Sequence, residues 1–193
     1  MQYPKIPLLL MIACLAASSA MAQEHRQHGA HEHGGGLLNV ALEKNTLMVE
    51  LSLPAMNVVG FEHPATNQTE ENQLEQAETL LKDGVGLLGP SPAAQCELVS
   101  VTVESKLLDH EHGHDGMEKD HADEQGHDHA DEAHADFDVS YEFDCKQVGK
   151  LKQLSLSLFK HFPGTQHLET QLITATLQTG TELDADGNIL KLK

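Results

Sequence analysis

Between Asp109 and Asp138 the chain places seven histidines among twelve carboxylates, with almost no apolar side chain between them. A stretch with so little to bury cannot build a core, so the rest of the chain must fold around it. Its histidines are His110, His112, His114, His121, His127, His129 and His134, and the run opens Asp109-His-Glu-His-Gly-His-Asp115. Imidazole nitrogen and carboxylate oxygen at this density are the donors that borderline divalent ions such as zinc prefer. The interleaved carboxylates offset the charge of a metal and accept hydrogen bonds from imidazole N–H groups, which a pure histidine run could not do. A second cluster, His25, His28, His31 and His33, lies near the amino terminus. The expectation is a long disordered metal-binding loop, 109–136, whose sites are numerous, exchangeable and individually weaker than a preformed one.

Residues 1–22 read as a secretory signal peptide. Lys5 supplies the positive n-region, Leu8 to Leu15 the apolar h-region, and Ala20-Met-Ala22 an A-x-A cleavage site, so the cut is expected after Ala22. The apolar run is too short to span a bilayer. The mature chain is therefore expected in the periplasm, with no membrane attachment after cleavage. Lipidation at Cys14 would truncate the h-region and use a poor approach, Met11-Ile12-Ala13.

What remains, residues 23–193, suits one domain with a modest core. The formal charge of −18 becomes −19 once Lys5 leaves with the signal. Such a balance argues against nucleic acid and anionic membrane surfaces as partners and favours cations. Of three cysteines, two survive cleavage. An even pair in an oxidising compartment reads as a disulfide, Cys96–Cys145, the alternative being two separate buried thiols. Closing a loop of that length stabilises a domain by about 4 kcal/mol on the chain-entropy view. Because the acid–histidine segment lies inside it, the bridge is expected to clamp the base of the segment.

Along the mature chain, residues 23–36 are histidine- and glycine-rich and expected to be mobile; a single domain then occupies 37–193. Leu38 to Leu42 and Thr46 to Leu53 alternate and are joined by Glu43-Lys-Asn45, which predicts a β-hairpin ended by Pro54. Leu74, Ala77 and Leu81 recur at helical spacing, with acids before them and Gly84 after, predicting a short helix over 70–82. Cys96 to Glu104 and Phe137 to Cys145 read as strands flanking the loop. Cys96 and Leu98 are out of phase with Val99, Val101 and Val103, which a bulge or a late strand start would resolve. Gln153 to Phe159, Leu168 to Gln178 and Asn188 to Leu192 complete about seven strands, with a turn or helical stub at 160–164. The predicted class is α+β, a mostly antiparallel β-sheet with one short helix.

The ligand types narrow the metal. With no free thiol and no methionine cluster, copper(I) is disfavoured; abundant imidazole disfavours calcium and magnesium. A cut after Ala22 would leave Gln23-Glu24-His25, a free amine with histidine third, able to wrap copper(II) or nickel(II) in a tetragonal nitrogen set unless Gln23 cyclises. Asp184-Ala-Asp-Gly-Asn188 echoes the start of a calcium loop but lacks the glutamate at its twelfth position, so it reads as a hairpin turn. His161 and His167 flank a Pro-Gly turn and read as surface or packing histidines. His-Glu-x-x-His, Gly-x-Ser-x-Gly and phosphate-binding glycine loops are all missing, and no enzyme is expected.

Several stretches, taken in order, resemble the ZrgA-like family of zinc-regulated periplasmic proteins. They are His31-Glu-His-Gly34 with Leu38-Asn-Val-Ala-Leu-Glu43, Leu53-Pro-Ala-Met-Asn-Val-Val-Gly-Phe-Glu-His63, Tyr141-Glu-Phe-Asp-Cys145 and Leu158-Phe-Lys-His-Phe-Pro163. The acid–histidine loop between Cys96 and Cys145 belongs to the same pattern. The resemblance implies zinc binding in the periplasm in support of a zinc importer, with the histidine-rich segment as the binding region. It also raises Glu62 and His63, otherwise loop residues, to a candidate fixed site as ligands or their hydrogen-bonding supports.

The sequence therefore reads as a periplasmic zinc-binding protein that captures or buffers zinc and supports its uptake, upstream of a zinc ABC importer or its solute-binding protein. Its rivals are a copper or nickel sink, a zinc-dependent hydrolase, which would need an ordered three-ligand site with an open position, and an envelope domain whose histidines merely titrate.

Overall fold

The computed structural model describes residues 34–108 and 135–193. The signal peptide, the amino-terminal histidine cluster, the copper or nickel motif and the expected disordered segment up to residue 134 lie outside the described residues.

The alternating amino-terminal runs form strands β1 (Leu37–Glu43) and β2 (Thr46–Pro54), paired antiparallel from Leu37 opposite Ser52 to Glu43 opposite Thr46. Leu38 and Val40 of β1 and Leu47, Val49, Leu51 and Leu53 of β2 point to one buried face. Period-two alternation has become one wet and one dry side. After Pro54 the chain makes a single helical turn, α1 (Ala55–Val58).

Helix α2 (Gln68–Lys82) begins where Asn67 accepts hydrogen bonds from the backbone N–H groups of Thr69 and Glu70. Glu70 and Glu71 in its first turn and Lys82 in its last suit the helix dipole, and Leu74, Ala77 and Leu81 are buried. A second short helix, α3 (Gly84–Leu88), follows at once. The sequence reading took Gly84 as a helix stop; its smallness has a further cause, since a Cβ there would stand 2.6 Å from the Tyr141 ring. The Tyr141 hydroxyl donates to the Leu81 carbonyl at 2.7 Å, tying the end of α2 to the sheet. Burial, then the negative charge of Asp83, push the phenol pKa up.

Strands β3 (Cys96–Glu104) and β4 (Asp136–Cys145) flank the undescribed segment. The phase conflict in β3 is a bulge: pairing jumps between Leu98 and Ser100, and Val99 is thrown outward. The disulfide joins Cys96 to Cys145, which face each other across the ladder. It lies at the far end of the strand pair from the acid–histidine segment, whose flanks follow Glu104 and precede Asp136. At about 3.3 Å per residue the separation is roughly 25 Å. The bridge therefore does not clamp the base of the segment; the β3–β4 ladder and a 2.8 Å hydrogen bond from Ala55 N–H to the Ala135 carbonyl do so.

Two strands differ from expectation. The run 153–159 is a strand only at β5 (Gln153–Ser155), because the Ser157 N–H and hydroxyl turn to the carbonyls of Leu87 and Gly86, and α4 (Leu158–His161) follows. The run 168–178 divides into β6 (His167–Thr174) and β7 (Gln178–Asp184), because the Thr174 hydroxyl accepts from the N–H groups of Thr176 and Leu177 and closes a turn. After β7, Asp184 accepts from the N–H groups of Asp186 and Gly187. That turn is no hairpin: it leads into β8 (Ile189–Lys191), which pairs with β5 in a separate two-stranded sheet.

The main sheet has the order β3-β4-β2-β1-β6-β7. Every pairing in it is antiparallel except β1 with β6, so the α+β, mostly antiparallel class holds, with eight strands among the described residues. One continuous core joins the inner face of the sheet to Leu74, Ala77 and Leu81 of α2, Leu87 and Leu88 of α3, and Leu158 and Phe159 of α4.

At one end of the sheet, Asn57 of α1 is buried and uses both ends of its amide. Its Oδ1 accepts from Gly34 N–H at 2.9 Å and its Nδ2 donates to the Gly35 carbonyl at 2.8 Å. Gly164 packs on the Asn57 backbone, where a Cβ would come within 2.6 Å of the carbonyl oxygen. Replacing Asn57 by Ala strands two backbone groups and is expected to destabilise the fold by about 2 kcal/mol. The thermal midpoint should fall by roughly 4–8 °C; an unchanged melt would show that water takes over both groups.

Candidate metal centre

All three described histidines belong to the end of the fold built around α1. The chain leaves α1 through Gly60, whose φ of 85° needs a residue without a Cβ, and Phe61 then enters the core. His63 follows, stacked on Phe61 with ring centroids 5.1 Å apart and planes 25° from parallel. Its Nδ1 lies 2.9 Å from the Pro64 carbonyl oxygen. A carbonyl only accepts, so Nδ1 carries the proton and Nε2 of the neutral ring keeps its lone pair for a metal. The ring is thus held in one orientation and one tautomer by its neighbours.

Glu70, in the first turn of α2, stands in the electrostatic field of His63. Its carboxylate accepts from the Thr66 N–H at 2.7 Å and the Thr66 hydroxyl at 3.0 Å. The backbone hydrogen bond from Thr66 is the main reason its pKa lies below the usual carboxylate value; burial opposes it, and side-chain hydrogen bonds from Thr66 and Asn67 and the proximity of His63 reinforce it. Glu70 therefore stays anionic at neutral pH. Sequence reasoning missed it as a companion of His63. The signal was present, since a glutamate three residues after a capping Asn turns back over the helix start and the preceding loop. Glu62 is half-buried in the same loop.

His167 opens β6, and its backbone N–H donates to the Gly34 carbonyl at 3.1 Å. His161 lies at the end of α4, three residues before the Gly164 contact with Asn57. His161 is exposed and His167 half-buried. Among the described residues no three histidine, cysteine or acidic side chains converge into a set that could hold a metal, and the cysteines are bridged to each other. Glu62, Glu70 and His63 do not by themselves complete a site.

The remaining ligand candidates, His25, His28, His31 and His33 and the seven histidines from His110 to His134, lie outside the described residues. Their points of attachment do not. His33 precedes Gly34, which is hydrogen-bonded to Asn57, and His134 precedes Ala135, which is hydrogen-bonded to Ala55. Both tracts are thus tethered to a single helical turn, α1, whose next loop carries His63.

No helix among the described residues is long and apolar enough to cross a membrane. No curated protein matches the chain. The model of the ZrgA family, described as zinc uptake proteins, matches residues 30–192, from the first histidine cluster through the last strand, and the chain belongs to that family.

Proposed function

We propose that the chain is a periplasmic protein that captures or buffers zinc, its cargo, for uptake by a zinc ABC importer or its solute-binding protein. The observation that carries this reading is the tethering of both histidine-rich tracts to α1, next to the oriented ring of His63. Binding, with no catalytic step, suits such an arrangement: many ligands of one kind provide many interchangeable sets of four, and the cargo can leave as it came. His110, His112, His114, His121, His127, His129 and His134 carry most of the load, assisted by His25 to His33.

The test is native mass spectrometry of the metal-free mature protein titrated with zinc, copper(II) and nickel(II). Several zinc ions should bind. A single copper or nickel ion, with zinc excluded, would instead favour the amino-terminal Gln23-Glu24-His25 set and a sink for those metals.

His63 supplies the fixed part of the scheme. A ring already oriented loses little freedom on binding, so it can outrank many unanchored ligands. In a zinc titration His63→Ala is expected to remove the tightest event and spare the weaker ones. Isotherms that overlay the wild type throughout would reduce His63 to a packing residue.

Zinc affinity should also fall steeply from neutral pH to about pH 5, because each imidazole must be free of its proton to bind, and the unperturbed histidine pKa is about 6.5. A flat profile over that interval would assign the metal to carboxylates alone.

A further inference from the structure

Among the described residues, the helices and the small sheet cover only one face of the six-stranded sheet. On the other face the strands carry eleven carboxylates at outward register positions, nine of them exposed and Asp136 and Asp144 half-buried, and none of the six strands contains a lysine or arginine. One row crosses the whole sheet: Glu104 opposite Asp138, then Ser52, Leu37, and Glu169 opposite Glu182. Like charges directly opposed across a ladder destabilise it, and this row holds two such pairs. Of the lysines flanking these strands, Lys106 follows Glu104 at one end of the row, while Lys44 and Lys146 sit at the other end of the sheet beside Glu43 and Glu97. Amid the acids runs an apolar stripe, Met48–Ala41–Ile173, across β2, β1 and β6. Met48 is 42% and Ile173 50% exposed, large values for residues at the middle of a sheet.

We infer that this open face is a docking surface for a partner protein that presents lysine and arginine around a small apolar contact. Apolar centre and charged surround are the general anatomy of a transient interface, and opposite charge would speed the encounter. Other occupants are electrostatically repelled. A second copy of the chain would bring the same acidic face, an anionic membrane the same sign, and segment 109–134 ten acids against one lysine. The inference needs no zinc, so it stands or falls apart from the proposed function.

The experiment places a photo-reactive benzoylphenylalanine in the full chain at position 48 or 173, with position 76 on the exposed side of α2 as control. Cells that naturally make the protein are irradiated, and the cross-linked peptides are sequenced. Adducts at 48 and 173 should exceed those at 76 by about tenfold, on peptides containing lysine or arginine. The variant Glu104→Gln/Asp138→Asn/Glu169→Gln/Glu182→Gln should lose them to a similar extent while melting at or above the wild-type temperature, since two repulsive pairs have been removed. Adducts no more abundant than at position 76, adducts to lipid or to a second copy, adducts that survive the neutralisation, or a lowered melting temperature would each overturn the inference.

Discussion

Deleting residues 109–134 is expected to abolish most zinc capacity while leaving the domain folded. The segment holds seven of the fourteen histidines, and eleven are left once the three described ones are set aside. Its removal joins Leu108 to Ala135 and touches neither the ladder from Glu104–Asp138 to Cys96–Cys145 nor the hydrogen bond between Ala135 and Ala55. Native mass spectrometry should therefore count far fewer zinc ions on the deletion variant, with the thermal midpoint within a few degrees of the parent. Full stoichiometry on the shortened chain would contradict the assignment of the cargo to this segment. Retained binding of one tight ion, lost again on adding His63→Ala, would separate the fixed component from the rest.

The second large effect concerns the disulfide. Replacing Cys96 and Cys145 by serine opens a ring closed across 49 positions, a loss of about 4 kcal/mol on the chain-entropy view. For a domain of this size the melting temperature should drop by roughly 8–16 °C. Zinc stoichiometry, measured where circular dichroism still shows the native fold, should not change. The reason is positional, since the bridge stands at the opposite end of β3 and β4 from the histidine-bearing segment. Loss of zinc by the folded variant would point to thiolate ligation in the parent.

The parts of this fold that were legible in the sequence are those whose side chains alternate or recur against a single dry surface. In β4, Phe137, Val139, Tyr141 and Phe143 are all buried with acids and serine between them, and α2 buries the three residues its period singles out. Strand β7 was missed because it is an edge: only Leu183 is buried, and Gln-Thr-Gly-Thr-Glu reads as a loop. The run around Leu154, Leu156 and Leu158 misled in the other direction, since burial alone does not make a strand when Ser157 sends its backbone N–H to α3. The cysteine pairing could be read from a count, but its place relative to the histidine segment could not, because that depends on which end of a ladder each residue occupies. For His63, the sequence supplied the residue and a family pattern. The hydrogen bond that sets its tautomer, and the nearby Glu70, are properties of a folded loop.

The one parallel pairing among the described strands, β1 with β6, has a consequence for how the molecule assembles. Strand β1 finds its first neighbour at once, through the two-residue turn into β2, but its other edge is matched only when Glu169 comes to lie beside Leu37. That contact joins residues more than a hundred positions apart, so closure of the sheet is slow relative to the local hairpin. Until then β1 is an unpaired edge with Leu38 and Val40 on its apolar side, the kind of strand that recruits other chains. Its complement, β6, lies after the acid–histidine segment in the sequence. The highly charged stretch thus lies between the two strands whose pairing closes the sheet, and its self-repulsion disfavours association of chains whose β1 edge is still open.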